Sequence, residues 1–310
     1  MSDSTAQGVA KVRHWESLHP PDKQLYNDPY AYKMFPGSFV QSWMGTKMID
    51  RLYRLMGLGS FSEMISVRTK WLDTEVLRAA AESEISPAKQ LVILGAGYDT
   101  RGFRLVFSSR EKEEDFTVFE VDQPAVQEKK VSKLDWLSKN DDAYGWVIRE
   151  RIDAKKVHFV PVDFNTDDLK TKLESHEGFR KATRSIITME GVTQYIPKEA
   201  TADTLQKIRS LVAPGSTLLI TYVDENRCLK GDDIPSPIDK VVSLARQVGE
   251  PWISGWDAVS FAAFLKENGY EIVSDTTQSD YNETYLKDVG RMLNEDDFLD
   301  MERFVVAKTL

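Results

Sequence analysis

The chain contains little cysteine and little histidine. Its 310 residues include one cysteine, Cys228, and four histidines, His14, His19, His158 and His176. A single cysteine excludes an intramolecular disulfide, and one cysteine with four scattered histidines does not form a zinc-binding pattern. We therefore predict no metal site, and we expect the histidines at the surface or at helix ends.

Long apolar runs and an excess of positive charge are also missing. No apolar run approaches the about 20 residues that span a membrane, and the first eight residues, MSDSTAQG, do not resemble a secretory signal. Forty lysines and arginines stand against 49 aspartates and glutamates, a net charge of −9. This balance disfavours nucleic-acid binding. We expect a cytoplasmic protein without a nucleic-acid or membrane partner; its oligomeric state is not predicted.

The sequence does contain a glycine turn between two apolar runs. The first run, 91–94, ends in the turn Gly95, Ala96 and Gly97, and the second, 116–122, carries Glu120 and Asp122 at its end. Glycine lets the backbone approach a ligand, and a carboxylate at the end of the second strand can accept hydrogen bonds from ribose hydroxyls. This plan predicts a nucleotide-binding βαβ unit and an adenosine ligand, with a merely tight turn as the alternative.

Residues near the turn distinguish between adenosine cofactors. The dinucleotide fingerprint has a third small residue where this chain has Thr100, and Asp99 and Glu120 add negative charge where a pyrophosphate would lie. S-adenosylmethionine has ribose hydroxyls, an ammonium and a sulfonium but no phosphate. These surroundings therefore suit it better than NAD.

Apolar runs and helical patterns alternate along the chain. Strands are predicted at 90–94, 116–122, 157–161, 184–188, 217–223, 271–274 and 303–308, with helices at 126–137, 167–175, 199–211 and 260–268. The alternation predicts an α/β fold, a doubly wound, mostly parallel, Rossmann-like sheet with helices on both faces.

The part of the chain before the first strand predicts a helical cap. Residues 8–26 are polar and contain Pro20 and Pro21, so we expect there either an arm that becomes ordered on contact or a loose cap. Helices are predicted at 39–58 and 62–81, the former serving in packing. Residues 1–80 would form this arm and cap within the same domain as a core at 81–310. A substrate-lid insertion is expected at about 224–256.

Six short blocks follow one another in order along the chain. They are NDPY at 27–30, VRT at 67–69, VILGAGYDTR at 92–101, FEVD at 119–122, DF at 163–164 and EGVTQY at 190–195. From about residue 28 to the C-terminus, the chain resembles the leucine carboxyl methyltransferase family of class I S-adenosylmethionine-dependent methyltransferases, including its small-molecule O-methyltransferase branch. The resemblance implies that cofactor, with S-adenosylhomocysteine as its product.

The same resemblance implies cofactor-binding residues. Arg68 is similar to the arginine that pairs with the methionine carboxylate, and Glu190 to the acid near the methionine moiety. The turn 95–97 would lie against the cofactor, with Asp122, and Glu120 nearby, at the ribose. Asp163 and Phe164 resemble the pair that contacts adenine. Arg68 as a solvated cation and Asp163 as a helix cap are the alternatives.

Methyl transfer from a sulfonium is an in-line displacement, so the protein mainly aligns the reacting atoms and excludes water. A carboxylate is ionised at neutral pH, whereas a phenol, with a pKa of about 10, needs a base. The strand ends offer Tyr195 and Tyr222 as candidate catalytic residues but no histidine. This favours O-methylation of a carboxylate on a small molecule over that of a phenol. Either tyrosine could instead be part of the core, as could Trp252 and Trp256.

Three other functions stay open at this point. The first is methylation of the C-terminal leucine carboxylate of a phosphatase, which the protein-directed members of the family perform. The second is an NAD-binding Rossmann oxidoreductase, and the third is a cofactor-binding module without catalysis. No motif in the sequence identifies the methyl acceptor.

Overall fold

Strands and helices alternate after a helical N-terminal part. A computed structural model describes residues 3–58, 60–82, 88–105, 116–163, 166–230 and 234–310. The α-helices are α1 Ser4–Glu16, α2 Ala31–Met34, α3 Ser38–Met44, α4 Thr46–Leu55, α5 Phe61–Ala81, α6 Arg101–Arg104, α7 Pro124–Asn140, α8 Gly145–Asp153, α9 Leu169–Glu174, α10 Lys198–Leu211, α11 Glu225–Cys228, α12 Ser236–Gln247 and α13 Ala258–Glu267. The strands are β1 Gln90–Leu94, β2 Thr117–Asp122, β3 Val157–Pro161, β4 Ser185–Met189, β5 Thr217–Val223, β6 Tyr270–Thr276 and β7 Glu302–Thr309. None of the helices in these ranges combines the length and the apolar composition needed to cross a membrane.

The strands described here form one sheet in the order β3-β2-β1-β4-β5-β7-β6. Strands β1 to β5 are parallel to their neighbours, and β7 runs antiparallel between β5 and β6. The order reverses between β1 and β4, and open α/β sheets bind ligands in the crevice at the carboxyl ends of such a pair. The predicted doubly wound, mostly parallel α/β sheet is confirmed.

The core has one layer on each face of the sheet. In β1, Leu91 and Ile93 belong to a cluster that includes apolar residues of α5 and α7, whereas Val92 and Leu94 belong to a second cluster that includes α10 and α13. Successive side chains of a strand point to opposite faces, so β1 is buried on both. Such a strand appears in the sequence as an unbroken apolar run, which is why it could be predicted.

Predicted and observed strand bounds agree closely. Strands β1, β3 and β5 have the predicted bounds, β2 begins one residue later, and β4 is shifted by one residue to Ser185–Met189. The last two strands are longer than predicted, at Tyr270–Thr276 and Glu302–Thr309. Their ends carry polar side chains, which a search for apolar runs does not include.

The N-terminal segment is a packed helix, so of the two predicted alternatives the arm ordered by its contacts agrees with the structure and the loose cap does not. Helix α1 buries Ala10, Val12 and Trp15. At its end, the carboxylate of Glu16 accepts hydrogen bonds from the backbone N–H of Leu25 and from Arg291, each at 2.7 Å. Because ion pairs and polar contacts hold this helix in place, it needs few buried apolar residues, and the helical spacing of apolar residues in its sequence is weak.

Two histidines lie at or just beyond the end of the same helix. His14 is in the last turn of α1, as the helix-end prediction allowed, but His14 and His19 are 8% and 9% exposed, so neither is at the surface. The His14 ring lies beside Phe35 at 5.7 Å between centroids, and the His19 ring meets Trp15 edge-on at 4.9 Å. Both act as aromatic packing residues.

The stretch predicted as one helix at 39–58 is two helices. Gly45, with φ of +72°, separates α3 from α4. The predicted packing role applies to Ile49, which is buried, but many apolar side chains of these helices are exposed. Those exposed are Phe39, Val40, Trp43, Met48, Leu52 and Leu55, together with Met56 just after α4.

Candidate functional site

A cavity of about 570 Å³ lies at the crevice between β1 and β4. Its wall comes from the loop after β1, the ends of β2 and β4, helices α1 and α5, and the segment 241–253. The volume falls within the range of about 300–1,000 Å³ typical of small-molecule sites. Part of the predicted lid insertion at 224–256 therefore lines the cavity, and its role as a lid stays a prediction.

The glycine turn after β1 is part of the wall of this cavity. Gly95 and Gly97 have φ of +67° and +46°, in the left-handed region that favours glycine. A Cβ on Gly95 would clash with the side chain of Val192, while the N–H of Ala96 donates to the carbonyl of Val121 at 3.0 Å. All three turn residues line the cavity. The sequence needs glycine here for both conformation and space.

The two predicted ribose acids have different surroundings. Asp122 lines the cavity, where Oδ2 accepts from the N–H of Gly97 and Oδ1 from that of Gln123, both at 2.6 Å. Burial raises the pKa of Asp122, against these backbone hydrogen bonds. Glu120 is fully buried, forms an ion pair with Lys130, and does not line the cavity. The structure thus brings Asp122 into the site, and it gives Glu120 a place in the core.

Burial also changes the acidity of Glu120. Loss of solvent raises its pKa to about 7, although the Lys130 ammonium acts in the opposite direction. A buried carboxylate without its cation is strongly disfavoured. The structure therefore places Glu120 in a buried ion pair with Lys130, whereas the sequence predicted that Glu120 lies near the cofactor.

Arg68 reaches the cavity from helix α5. Its Nε donates to Oε1 of Glu190 at 2.8 Å and its Nη1 to Oε2 of Glu302 at 2.6 Å. Burial lowers the pKa of the guanidinium, but Glu302 and Glu190 raise it further, so Arg68 stays charged. Within the described part of the chain, Nη2 of Arg68 has no hydrogen-bond partner, which leaves it for a ligand.

Behind Arg68 lies a buried network centred on Arg101. Arg101 pairs with Asp73 at 2.7 Å, with Asp99 at 2.5 Å and with Oε2 of Glu190 at 2.7 Å. Glu190 therefore bridges two guanidiniums. Burial would raise the pKa of Glu190, but Arg101 and Arg68 lower it below its usual value. Sequence reasoning gave Arg101 and Asp73 no role, although Arg101 ends the block that contains the glycine turn.

Asp28 explains the NDPY block, which the sequence left without a role. Its carboxylate is buried and accepts from the hydroxyl of Thr100 at 2.7 Å, and it pairs with Arg13 at 3.0 Å. Arg13 in turn donates to the backbone carbonyl of Tyr98 at 2.5 Å. Asp28 and Arg13 thus fasten helix α1 and the following turn to the loop after β1.

The charged lining of the cavity is mostly acidic. Among the described residues, its carboxylates are Asp3, Asp99, Asp122, Glu190, Glu250 and Glu302, and its guanidiniums are Arg13 and Arg68. Both guanidiniums are in ion pairs, Arg13 with Asp28 and Arg68 with Glu190 and Glu302, while Asp99 pairs with Arg101 and Asp3 with Lys129. Asp122 and Glu250 form no ion pair within the described part of the chain, so these two carboxylates carry the excess negative charge of the lining. Such a wall favours a ligand with net positive charge and disfavours phosphates.

The lining of the cavity also includes large apolar side chains. They are Tyr53, Phe61, Met64, Leu244, Val248 and Ile253. Tyr195 also lines the cavity, with Thr5 and Trp252 beside its hydroxyl. Burial raises the pKa of Tyr195, so the phenol is neutral at physiological pH.

The structure does not bring every predicted residue into the cavity. Tyr222 is fully buried, its hydroxyl donates to Oδ2 of Asp275 at 2.9 Å, and its ring stacks on Phe261 at 3.8 Å. Its position corrects the prediction of a catalytic role. Asp163 is not in the lining of the cavity among the described residues; its N–H donates to Asp167 at 3.0 Å. Phe164 lies outside the described residues.

The family of the chain follows from comparison with known proteins. The family model described as "Leucine carboxyl methyltransferase" matches residues 6–209. The chain belongs to this family. The predicted membership is therefore confirmed. The matched region begins before residue 28, where the resemblance was predicted to start, and it ends before the C-terminus.

Relatives and solved structures agree with this assignment. YktD of Bacillus subtilis, named "Putative S-adenosyl-L-methionine-dependent methyltransferase", is 32% identical over 203 residues, 64% of this chain and 59% of that protein. A similarly named protein of Mycolicibacterium smegmatis is 31% identical over 231 residues, 74% of this chain and 69% of that protein. The chain thus spans about 59% of the length of the Bacillus relative.

Solved structures show the same fold at low sequence identity. A DUF574 family protein from Streptomyces avermitilis has a TM-score of 0.59 and 12% identity, with 96% of this chain and 97% of that chain covered. A "putative methyltransferase" from Thermobifida fusca has a TM-score of 0.54 and 13% identity, with 96% and 94% covered. The predicted Rossmann-like fold is confirmed.

Proposed function

We propose that the protein is an S-adenosylmethionine-dependent methyltransferase that O-methylates a small molecule. One observation carries the proposal: the glycine turn, Asp122 and Arg68 line a single cavity whose charged lining has more carboxylates than guanidiniums. S-adenosylmethionine has a sulfonium, an ammonium and one carboxylate, so its net charge is positive. The wall suits that charge, and the family of the chain points to the same cofactor.

Each end of the cofactor would have its own partners. Asp122 would accept hydrogen bonds from the ribose hydroxyls, since each of its oxygens has a lone pair beyond the one used by a backbone N–H. Nη2 of Arg68 would donate to the methionine carboxylate. Glu190, held between Arg68 and Arg101, supplies negative charge at the same end. The bound cofactor supplies an activated methyl group on sulfur, and the protein holds the acceptor in line with it.

The charged residues that line the cavity affect which chemical class of methyl acceptor it would bind. The sequence favoured a carboxylate, but both guanidiniums of the described lining are paired with carboxylates, and Asp122 and Glu250 of the same lining form no ion pair within the described part of the chain. A neutral hydroxyl fits these surroundings better, because it adds no further negative charge. The same argument disfavours the carboxylate of a phosphatase C-terminus. Carboxylate methylation and the cytoplasmic location stay predictions of the sequence.

Calorimetric titration with S-adenosylhomocysteine is the first test. We expect the wild type to bind it and not to bind NAD. The Asp122→Asn variant should bind about tenfold more weakly or worse, because a hydrogen bond to a charged acceptor contributes about 1.5–3 kcal/mol. Glu199→Gln is the matched control, since it removes an exposed carboxylate outside the lining of the cavity. NAD binding in place of S-adenosylhomocysteine would overturn the proposal.

A methyl-transfer screen is the second test. Labelled S-adenosylmethionine is incubated with the wild type and with phenols, small carboxylic acids or a peptide that has a phosphatase C-terminus. We expect methylation of small molecules. Methylation of the peptide alone would replace the proposal with a protein-directed one. Cofactor binding without transfer to any of these classes would support a module without catalysis.

A further inference from the structure

One face of helix α12 lines the cavity with apolar side chains. The lining residues of this helix and of the position directly after it are Val241, Leu244, Ala245 and Val248. Their spacing of three and four residues is that of a single helix face. Leu244 and Val248 are 44% and 40% exposed, so both have apolar surface that a ligand can cover. Because removing apolar surface from water favours association, this face suits an apolar ligand.

A second apolar face belongs to helix α5, and it shows where apolar side chains lie relative to Arg68. The lining residues of this helix are Phe61, Met64, Ile65 and Arg68. The first three precede Arg68 by seven, four and three positions, so all of them lie on one helix face. At about 1.5 Å per residue, Phe61 lies about 10 Å from Arg68 along the helix axis. The apolar lining therefore begins beside Arg68 and extends toward the start of α5.

The two faces lie next to each other. Met64 and Ile65 of α5 belong to the same buried apolar cluster as Val241 of α12. In the loop before α5, a Cβ on Gly57 would lie 2.8 Å from Nζ of Lys240 on α12, so the start of α5 is close to α12. The lining residues of α12 and those of α5 before Arg68 thus form one apolar compartment of the cavity. It begins next to the residue that we assign to the methionine carboxylate.

We propose that the methyl acceptor has an apolar body, which binds in the apolar compartment between α5 and α12. This inference rests on the proposed methyltransferase function and names its substrate class. The reacting sulfur belongs to the methionine part of the cofactor, so an acceptor held beside Arg68 is close to the methyl group. The residues of the compartment carry no charge. A sugar or another strongly polar acceptor would lose its hydrogen bonds to water there without replacing them.

The exposed members of the compartment permit a test that spares the core. Replacing Leu244 or Val248 with asparagine changes the compartment without placing a polar group among fully buried residues. Each has a matched control of the same residue type on a helix face outside the lining of the cavity. Leu77 on α5 is 38% exposed and matches Leu244, and Val131 on α7 is 40% exposed and matches Val248.

The experiment compares 4-ethylphenol and 4-butylphenol, which differ only in the length of the apolar chain. Each is titrated by calorimetry into the enzyme saturated with S-adenosylhomocysteine. We expect the wild type to bind 4-butylphenol about tenfold more tightly, because each buried methylene group strengthens binding about three- to fourfold. In Leu244→Asn and in Val248→Asn this ratio should fall to about threefold or less, since the added methylene groups then meet an amide. Leu77→Asn and Val131→Asn should keep the wild-type ratio.

Several results would overturn the inference. These are equal affinities of the two probes for the wild type, binding of neither probe, a wild-type ratio in Leu244→Asn or in Val248→Asn, and the same fall in a control variant. Titration of S-adenosylhomocysteine alone precedes the probes. If the wild type does not bind it, the proposed function fails. If the wild type binds it and the dependence on chain length is absent, only the apolar acceptor fails.

Discussion

Arg68 donates a hydrogen bond from Nε to Oε1 of Glu190 across 2.8 Å, which joins helix α5 to the end of strand β4. Arg101 occupies the second oxygen of the same carboxylate at 2.7 Å. Glu190 is therefore fixed from both sides, and the guanidinium of Arg68 is fixed with it. A ligand carboxylate would meet a donor that is already oriented, which reduces the entropy lost on binding.

Replacing Arg68 with lysine tests this arrangement. A lysine ammonium cannot reproduce the planar set of donors, so Arg68→Lys should weaken S-adenosylhomocysteine binding about tenfold or more. It should also lower the free energy of unfolding by about 1–3 kcal/mol, through the lost hydrogen bonds to buried carboxylates. Calorimetry and urea unfolding measure the two effects. Arg78→Lys, on the exposed side of the same helix, is the control. Unchanged cofactor binding in Arg68→Lys would contradict the assignment.

Gly95 permits a test of the turn itself. Gly95→Ala should lower the free energy of unfolding by about 1–3 kcal/mol and weaken cofactor binding, because the residue has a positive φ and its Cβ would meet Val192. Adding Val192→Ala removes the clash but not the backbone strain, so the double variant should recover part of the stability. Thermal and urea unfolding of both variants and of Val192→Ala alone give the comparison. A double variant no more stable than Gly95→Ala would show that the clash is unimportant.

The two candidate catalytic tyrosines should respond differently to loss of the hydroxyl. Tyr195→Phe should reduce methyl transfer to the acceptor found in the screen while it leaves S-adenosylhomocysteine binding intact, because Tyr195 lines the cavity. Tyr222→Phe should retain activity and lose about 0.5–1.5 kcal/mol of stability, through its hydrogen bond to Asp275. Single-turnover rates and urea unfolding test both statements. Loss of activity in Tyr222→Phe at full stability would restore its catalytic role.

Local patterns were sufficient to predict much of the fold and the glycine turn that lines the cavity. Strands buried on both faces give apolar runs, and the positive φ of Gly95 and Gly97 requires glycine, so both are visible in the sequence. The sequence indicates less clearly toward which face of the sheet a given side chain of such a strand points. Tyr222 was placed at the site because it lies near the carboxyl end of β5, yet it packs against Phe261 in the core.

The rest of the site depends on contacts between distant parts of the chain. Glu250 follows helix α12 in a polar turn with no motif, and it reaches the cavity only because Thr5 and the backbone of Gln194 hold that segment there. Helix α1 was missed for a similar reason. Its Glu16 is matched by Arg291, 275 residues away, and pairing over such a distance leaves no local pattern. Neither the contacts of Glu250 nor the pairing of Glu16 with Arg291 can be recognised from the residues next to them in the sequence.

The dependence of stability on pH should show the contribution of buried His19. Burial, together with the positive charge of Arg291, lowers the pKa of His19 to about 4, from 6.5. The folded state thus prefers the neutral ring, and this contribution to stability is fully present above pH 6.5. It is lost progressively as the pH falls toward 4, up to about 3 kcal/mol.

A phenylalanine at this position would keep the edge-on contact with Trp15 and remove the titrating group. His19→Phe should therefore lose less stability than the wild type between pH 6.5 and pH 4, where urea unfolding is measured at several pH values. The difference between the two proteins isolates His19, because the carboxylates that titrate in the same range are common to both. His176→Phe, at a partly exposed histidine, is the control. Parallel curves for the wild type and His19→Phe would show that the folded protein accommodates the charged ring.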